Sequence, residues 1–135
     1  MKTFSLDKKI YYHDTDAGGV VYYASYLKHL EEGRTEYCRN AGIDIAGYAE
    51  KGIIFPVVHL DIDYRSPARY GDTITVVTNP EKMGNASLGW RQEVKRGEAV
   101  ILTANTVWAC VKTPVLKPVR IPEEIRSKIA ADTPK

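Results

Sequence analysis

One amphipathic stripe sets the terms for everything else this chain can fold into. Tyr23, Tyr26, Leu27, Leu30, Gly33, Tyr37, Cys38 and Ala41 follow one another mostly at steps of three and four, while Lys28, Glu31, Glu32, Thr35 and Arg39 fall mostly off that line. The spacing places an apolar face on one side of a long helix beginning near Tyr22 or Tyr23, and Gly42 supplies its stop. Downstream the pattern changes to β. Residues 53–64, 72–78, 86–95 and 99–111 are strand-like, with Pro56 at a strand start or edge. They are separated by Pro67 with Gly71, Asn79-Pro80 with Gly84-Asn85, and Arg96-Gly97, connections that suit antiparallel hairpins better than parallel crossovers. Upstream, Phe4, Leu6, Ile10 and Tyr12 alternate as a half-buried first strand. A short helix or turn is expected over residues 44–50, ending at Gly52, and a closing helix over 122–131, opened by Pro122, Glu123 and Glu124.

A four- or five-stranded antiparallel sheet has an apolar face to cover, and the chain offers one long helix to cover it. The sequence therefore predicts an α+β class and a hotdog fold, a curved antiparallel sheet wrapped around one central helix. With 135 residues, a single domain over 1–135 is expected. The net charge is +2 and the Lys and Arg residues are dispersed, which argues against nucleic acid. No apolar run approaches the ~18 residues of a membrane span. Cys38 and Cys110 lack metal spacing and, with no signal peptide recognised, read as reduced, packed thiols in a cytoplasmic protein. Nine tyrosines against two phenylalanines suit half-buried surfaces such as interfaces and ligand grooves.

The join between first strand and helix reads His13-Asp14-Thr15-Asp16-Ala17-Gly18-Gly19-Val20-Val21-Tyr22-Tyr23. A helix start carries unpaired N–H groups and partial positive charge. Gly18 and Gly19 let the backbone turn and let a ligand approach, so Gly19 is a substrate-binding candidate. A carbonyl oxygen on those amides would be polarised, and Asp16 beside it would attack the carbon or take a proton from water. Asp14 or Asp16 as a simple turn or cap residue fits the same pattern.

The stretch from Ile10 through Tyr37 resembles the signature of the 4-hydroxybenzoyl-CoA thioesterase family of hotdog proteins. It is most similar to the Tol–Pal-associated (YbgC-type) acyl-CoA thioesterase branch. Further similarity lies in Tyr64-Arg65-Ser66-Pro67-Ala68-Arg69-Tyr70-Gly71-Asp72 and in Lys117-Pro118-Val119-Arg120-Ile121-Pro122. The resemblance implies an enzyme that hydrolyses a short-chain or aromatic acyl-CoA thioester to a free acid and coenzyme A. It implies Asp16 as the catalytic carboxylate, and a backbone N–H at Tyr23 or a neighbour as the oxyanion contact. Residues 65–70, Pro67 among them, are expected to border the partner subunit's site in a homodimer, often paired into a homotetramer. No metal or other cofactor is implied, since coenzyme A is part of the substrate; acyl carrier protein is an alternative carrier. The chain departs from the branch at Tyr23, where histidine is usual, and at His13, where glutamate is usual.

Other groups compete. Glu31 on the helix is a rival to Asp16, because another hotdog thioesterase class uses a helix carboxylate. His29 and His59 have no companion at nucleophile or metal spacing and read as structural, His13 as an exposed strand residue, and Trp90 and Trp108 as core or interface. Lys82, Arg91, Lys95 and Arg96 are candidates for coenzyme A phosphates. Two other functions fit parts of the pattern: a non-catalytic acyl-CoA or acyl-carrier binding module, and a metal-dependent phosphatase with an Asp-x-Asp motif.

Overall fold

The computed structural model describes residues 3–130 and residue 132. Its elements are β1 (Phe4–Lys9), a 3-10 turn (Tyr12–Asp14), α1 (Ser25–Asn40), α2 (Ile45–Glu50), β2 (Ile53–Ile54), β3 (Val57–Tyr64), β4 (Thr73–Met83), β5 (Ser87–Arg96), β6 (Ala99–Ala109), β7 (Val111–Lys112), β8 (Lys117–Pro118) and α3 (Glu123–Ala130). The main sheet runs β1-β4-β5-β6-β3, and β2, β7 and β8 form a second, small sheet. Every ladder between these strands is antiparallel. The expected α+β hotdog arrangement is present. Among the described residues the alternating parallel strands and helices that support Asp-x-Asp phosphatase chemistry are absent, and that reading falls with them.

Helix α1 packs tightly against β4 and β5 at Gly33. A Cβ there would lie 2.7 Å from Thr78 Oγ1, 2.8 Å from Val76 Cγ1 and 3.0 Å from the Gln92 side-chain nitrogen. The missing side chain lets buried polar groups fasten helix to strands. The Gln92 amide donates to the Leu30 carbonyl at 2.9 Å and to the Thr78 hydroxyl at 3.0 Å, and accepts from Arg34 at 3.0 Å. Burial pulls the Arg34 guanidinium below its ordinary pKa. Apolar packing lies on both sides of this belt. Tyr26, Leu30, Ile74, Val76, Val94 and Leu102 form a cluster toward the N-terminal end of α1. Tyr37, Cys38, Leu88, Trp90, Trp108 and Ile125 form another toward its C-terminal end, with the two indole rings edge to face at 5.0 Å. Both tryptophans are thus core residues. Both cysteines are buried and free, and burial pushes the Cys38 thiol up to about 12.

Several expected boundaries shift. Tyr12 leaves the first strand, because the chain turns at Tyr12–Asp14 into a 3-10 turn. Helix α1 opens at Ser25, beyond Tyr22 and Tyr23. Asn79-Pro80 lies inside β4 instead of separating strands. Pro80 sits at a register shift against β5, just past the Phe4↔Thr78 end of the described β1 ladder, where its missing N–H removes no bond to β1. The last long strand stops at Ala109, and Val111 joins β7. Helix α3 begins at Glu123; the expected end at Ala131 lies outside the described residues. Among the described residues no helix is long and apolar enough to cross a membrane.

Candidate active site

The loop from Thr15 to Val21 is closed by its own backbone. Thr15 bridges Val21, the Asp16 N–H donates to Val20 O at 2.9 Å, and the Gly19 N–H donates to Asp16 O at 3.1 Å. Gly19 adopts φ +80°, open to glycine at no steric cost. The Gly18 N–H donates to Asp16 Oδ1 at 2.8 Å, and a Cβ at Gly18 would crowd that oxygen at 3.2 Å. The turn thus holds one oxygen of the Asp16 carboxylate, on a residue that is exposed.

Asp14 has the opposite environment. It is buried, its Oδ2 accepts from the Tyr11 N–H at 3.0 Å, and its carbonyl accepts from Tyr22 N–H at 2.9 Å. Asp14 thus caps the 3-10 turn, while Asp16 accepts from the glycine turn that follows it.

The next segment is tied to residues 65–70. Val21 N–H donates to Ala68 O at 2.8 Å, Val20 bridges Arg69, and Ala68 N–H donates to the Tyr26 hydroxyl at 3.0 Å. Before the helix, Ser25 N–H is used by Tyr22 O at 2.8 Å and Leu27 N–H by Ala24 O at 3.1 Å. The amides of Tyr23 and Ala24 donate to nothing among the described residues. These free donors lie just ahead of the regular helix, which starts at Ser25.

Beside them opens a cavity of about 300 Å³ lined by Val21, Tyr23, Tyr26, Tyr64, Arg65, Ser66 and Pro67. Two predicted site residues, Tyr23 and Pro67, thus share one wall. Asp16 and Gly19 do not line it; they stand on the loop hydrogen-bonded to its Val20–Val21 edge. Desolvation raises the Tyr26 and Tyr64 phenols, so both stay neutral near pH 7. Arg65 is the cationic group in the wall. Of the four basic candidates, Arg96 reaches this segment, donating to the Pro67 carbonyl, whereas Arg91 donates to Asn105 on the sheet.

Glu31 is elsewhere. It accepts from the Thr35 hydroxyl at 3.0 Å and lines a different cavity with Arg39 and Asp44. His59 is exposed on β3, and His13 is exposed on the 3-10 turn instead of a strand.

His29, expected to be structural, is packed in the interior between two carboxylates. It is 4% exposed, its Nε2 lies 3.5 Å from Asp14 Oδ1, and its Nδ1 lies 3.5 Å from Glu32 Oε1. Glu32 is in turn paired with Lys8 at 2.7 Å. The His29–Glu32 half was legible as an i,i+3 helix pair. The Asp14 half joins residues fifteen positions apart through the tertiary fold.

The thioesterase superfamily model matches residues 18–102, beginning two residues after Asp16. Acyl-CoA thioesterase YbgC of Haemophilus influenzae is 36% identical over 125 residues, covering 92% of each chain. The 1,4-dihydroxy-2-naphthoyl-CoA hydrolase of Nostoc punctiforme is 28% identical over 124 residues, covering 91% of this chain and 84% of that one. Among solved structures, DHNA-CoA thioesterase from Staphylococcus aureus superposes with a TM-score of 0.90 at 27% identity, covering 97% of this chain and 93% of that one.

Proposed function

Since this chain belongs to the thioesterase superfamily, we propose that it hydrolyses acyl-CoA thioesters, with Asp16 as its catalytic carboxylate. The carrying observation is an exposed, turn-held Asp16 on the loop that leads to the free Tyr23 and Ala24 amides beside a tyrosine-lined cavity. The thioester carbonyl oxygen rests on those amides, which stabilise it further as it gains charge. Asp16 then either attacks the carbonyl carbon, giving an acyl-aspartyl anhydride that water hydrolyses, or takes a proton from the water that attacks that carbon. Coenzyme A leaves as the thiol and the acyl group as the acid.

The cavity is at the small end of ligand pockets, and three phenol rings contribute to its wall. Both features favour short or aromatic acyl groups over long chains. Because Asp16 stands outside the cavity wall of a single chain, the complete site is assigned to a homodimer, which also allows pairing into a homotetramer. Strand β3 supports this assignment. It is a sheet edge, and Val57, Val58, Leu60 and Tyr64 are all exposed along it.

Turnover of an acyl-CoA panel, read by thiol release, tests the proposal. Asp16→Asn should lower kcat roughly 10²–10⁴-fold with the fold intact. Near-normal turnover in that variant would remove Asp16 from the chemistry. Acyl-CoA binding without turnover by the unaltered protein would favour the non-catalytic binding module, and turnover of acyl carrier protein esters alone would change the carrier.

A further inference from the structure

We infer that His29 is a positioning residue for the proposed reaction, acting through Asp14 on the loop that carries Asp16. The inference rests on the reading of Asp16 as the catalytic carboxylate. Nothing in the polarity of a core helix face calls for an imidazole at this position. The surrounding residues Tyr26 and Leu30 are packed, and Tyr26 stands edge-on to the His29 ring at 6.5 Å.

Both imidazole nitrogens are buried, and neither makes a well-formed hydrogen bond. Each instead faces a carboxylate at 3.5 Å, Asp14 on one side and Glu32 on the other. Lys8 holds Glu32 from β1, and the exposed His13 ring approaches Asp14 at 3.6 Å. Among the described residues, no group of three or more His, Cys, Asp or Glu side chains is arranged to hold a metal ion. The cluster is therefore an acid–imidazole–acid stack rather than a metal cradle.

The stack has a mechanical consequence. A buried carboxylate needs compensating partners. Asp14 Oδ2 has the Tyr11 N–H, and Oδ1 has His29 Nε2 as its buried neighbour. Asp14 is also the anchor of the loop, because its carbonyl takes the Tyr22 N–H on the far side of Asp16. Holding Asp14 thus holds both ends of the segment from Asp14 to Tyr22. Helix α1 adds to that hold through the 3.5 Å approach of His29 Nε2 to Asp14 Oδ1, so the carboxylate and the free amides of Tyr23 and Ala24 keep one relative geometry. A displacement near 1 Å is enough to cost ~10²-fold in rate.

Three variants test this. His29→Phe keeps a ring but offers Asp14 no N–H, and kcat should fall roughly 10- to 100-fold while KM moves less than about 3-fold. His29→Gln places a donor near the Nε2 position and should recover most of that loss. The double variant His29→Phe with Asp14→Asn should cost no more than the worse single change, because both act through one contact. Should His29→Phe fail to fold, His29→Gln and the double variant carry the test. Full kcat in His29→Phe, no recovery in a folded His29→Gln, or additive losses in the double variant would each overturn the inference. An inactive Asp16→Asn beside a fully active His29→Phe would sink this inference alone, whereas an active Asp16→Asn sinks the reading beneath it.

Discussion

The Tyr64 hydroxyl donates to the Tyr23 carbonyl oxygen at 3.0 Å, linking the end of β3 to the turn that opens α1 across 41 positions of sequence. The bond fixes the peptide whose neighbouring N–H groups are free, so it orients the proposed oxyanion donors from outside the helix. Tyr64→Phe should cost only about 0.5–1 kcal/mol of stability, the lower range for one exposed hydrogen bond. Turnover should fall by roughly 3- to 10-fold, as expected for slight misorientation of a reacting group. Denaturant titration and steady-state kinetics on the same preparation separate the two. A loss of stability with unchanged kcat would confine the bond to the fold.

Tyr23 itself should act through its backbone. Tyr23→Phe keeps the ring that lines the cavity and should lower turnover well under ~10-fold. Tyr23→Pro removes an N–H that has no partner among the described residues and should approach the 10²–10³-fold loss of an oxyanion donor. Circular dichroism must show the proline variant folded. An equal loss in the phenylalanine variant would assign the chemistry to the hydroxyl.

The β3 edge should be where two copies meet. Val58 and Leu60 are exposed on it, and lysines on a sheet edge oppose strand addition. The variant carrying Val58→Lys and Leu60→Lys should sediment as a monomer and lose turnover together with dimerisation. Light scattering that finds the unaltered protein fully active as a monomer would reject the shared site.

Gly33 should tolerate no side chain. Thr78, Val76 and Gln92 leave a Cβ no more than 3.0 Å, and relieving that crowding means lifting α1 from the sheet. Gly33→Ala should destabilise the protein by about 1–3 kcal/mol, despite alanine's better helix propensity. A stabilised variant in urea unfolding would show that the helix is free to shift.

Cys38 should be unreactive in the folded protein. Burial raises its thiol to about 12, so little thiolate exists near pH 7, and thiolate is the nucleophile. Iodoacetamide labelling should be slow in buffer and fast in denaturant. Rapid labelling of Cys38 in buffer would mean that the helix–sheet interface opens.

Local structure was legible in the residues because its causes are local. The helical stripe from Tyr23 to Ala41, the glycine stop at Gly42 and the alternation along the later strands each depend on neighbours within a turn or a pleat. The glycine turn at Gly18-Gly19 was legible for the same reason, although the helix after it opens at Ser25, beyond the expected Tyr22 or Tyr23. Where local signals competed, boundaries moved: Pro80 read as a separator, yet it lies in β4 beyond the end of the described β1 ladder.

Strand order, cavity and buried stack were decided only by the tertiary structure. That β3 crosses to the edge beyond β6, so that Tyr64 and Pro67 meet Tyr23, follows from pairing between distant strands, which neighbour spacing does not encode. The same holds for His29. On the helix it follows Lys28 and precedes Leu30 with nothing in the spacing to mark it, and only packing of α1 against the N-terminal loop sets Asp14 against its ring. Residue type determines what each segment prefers, whereas which segments become neighbours depends on the burial of the whole apolar surface at once.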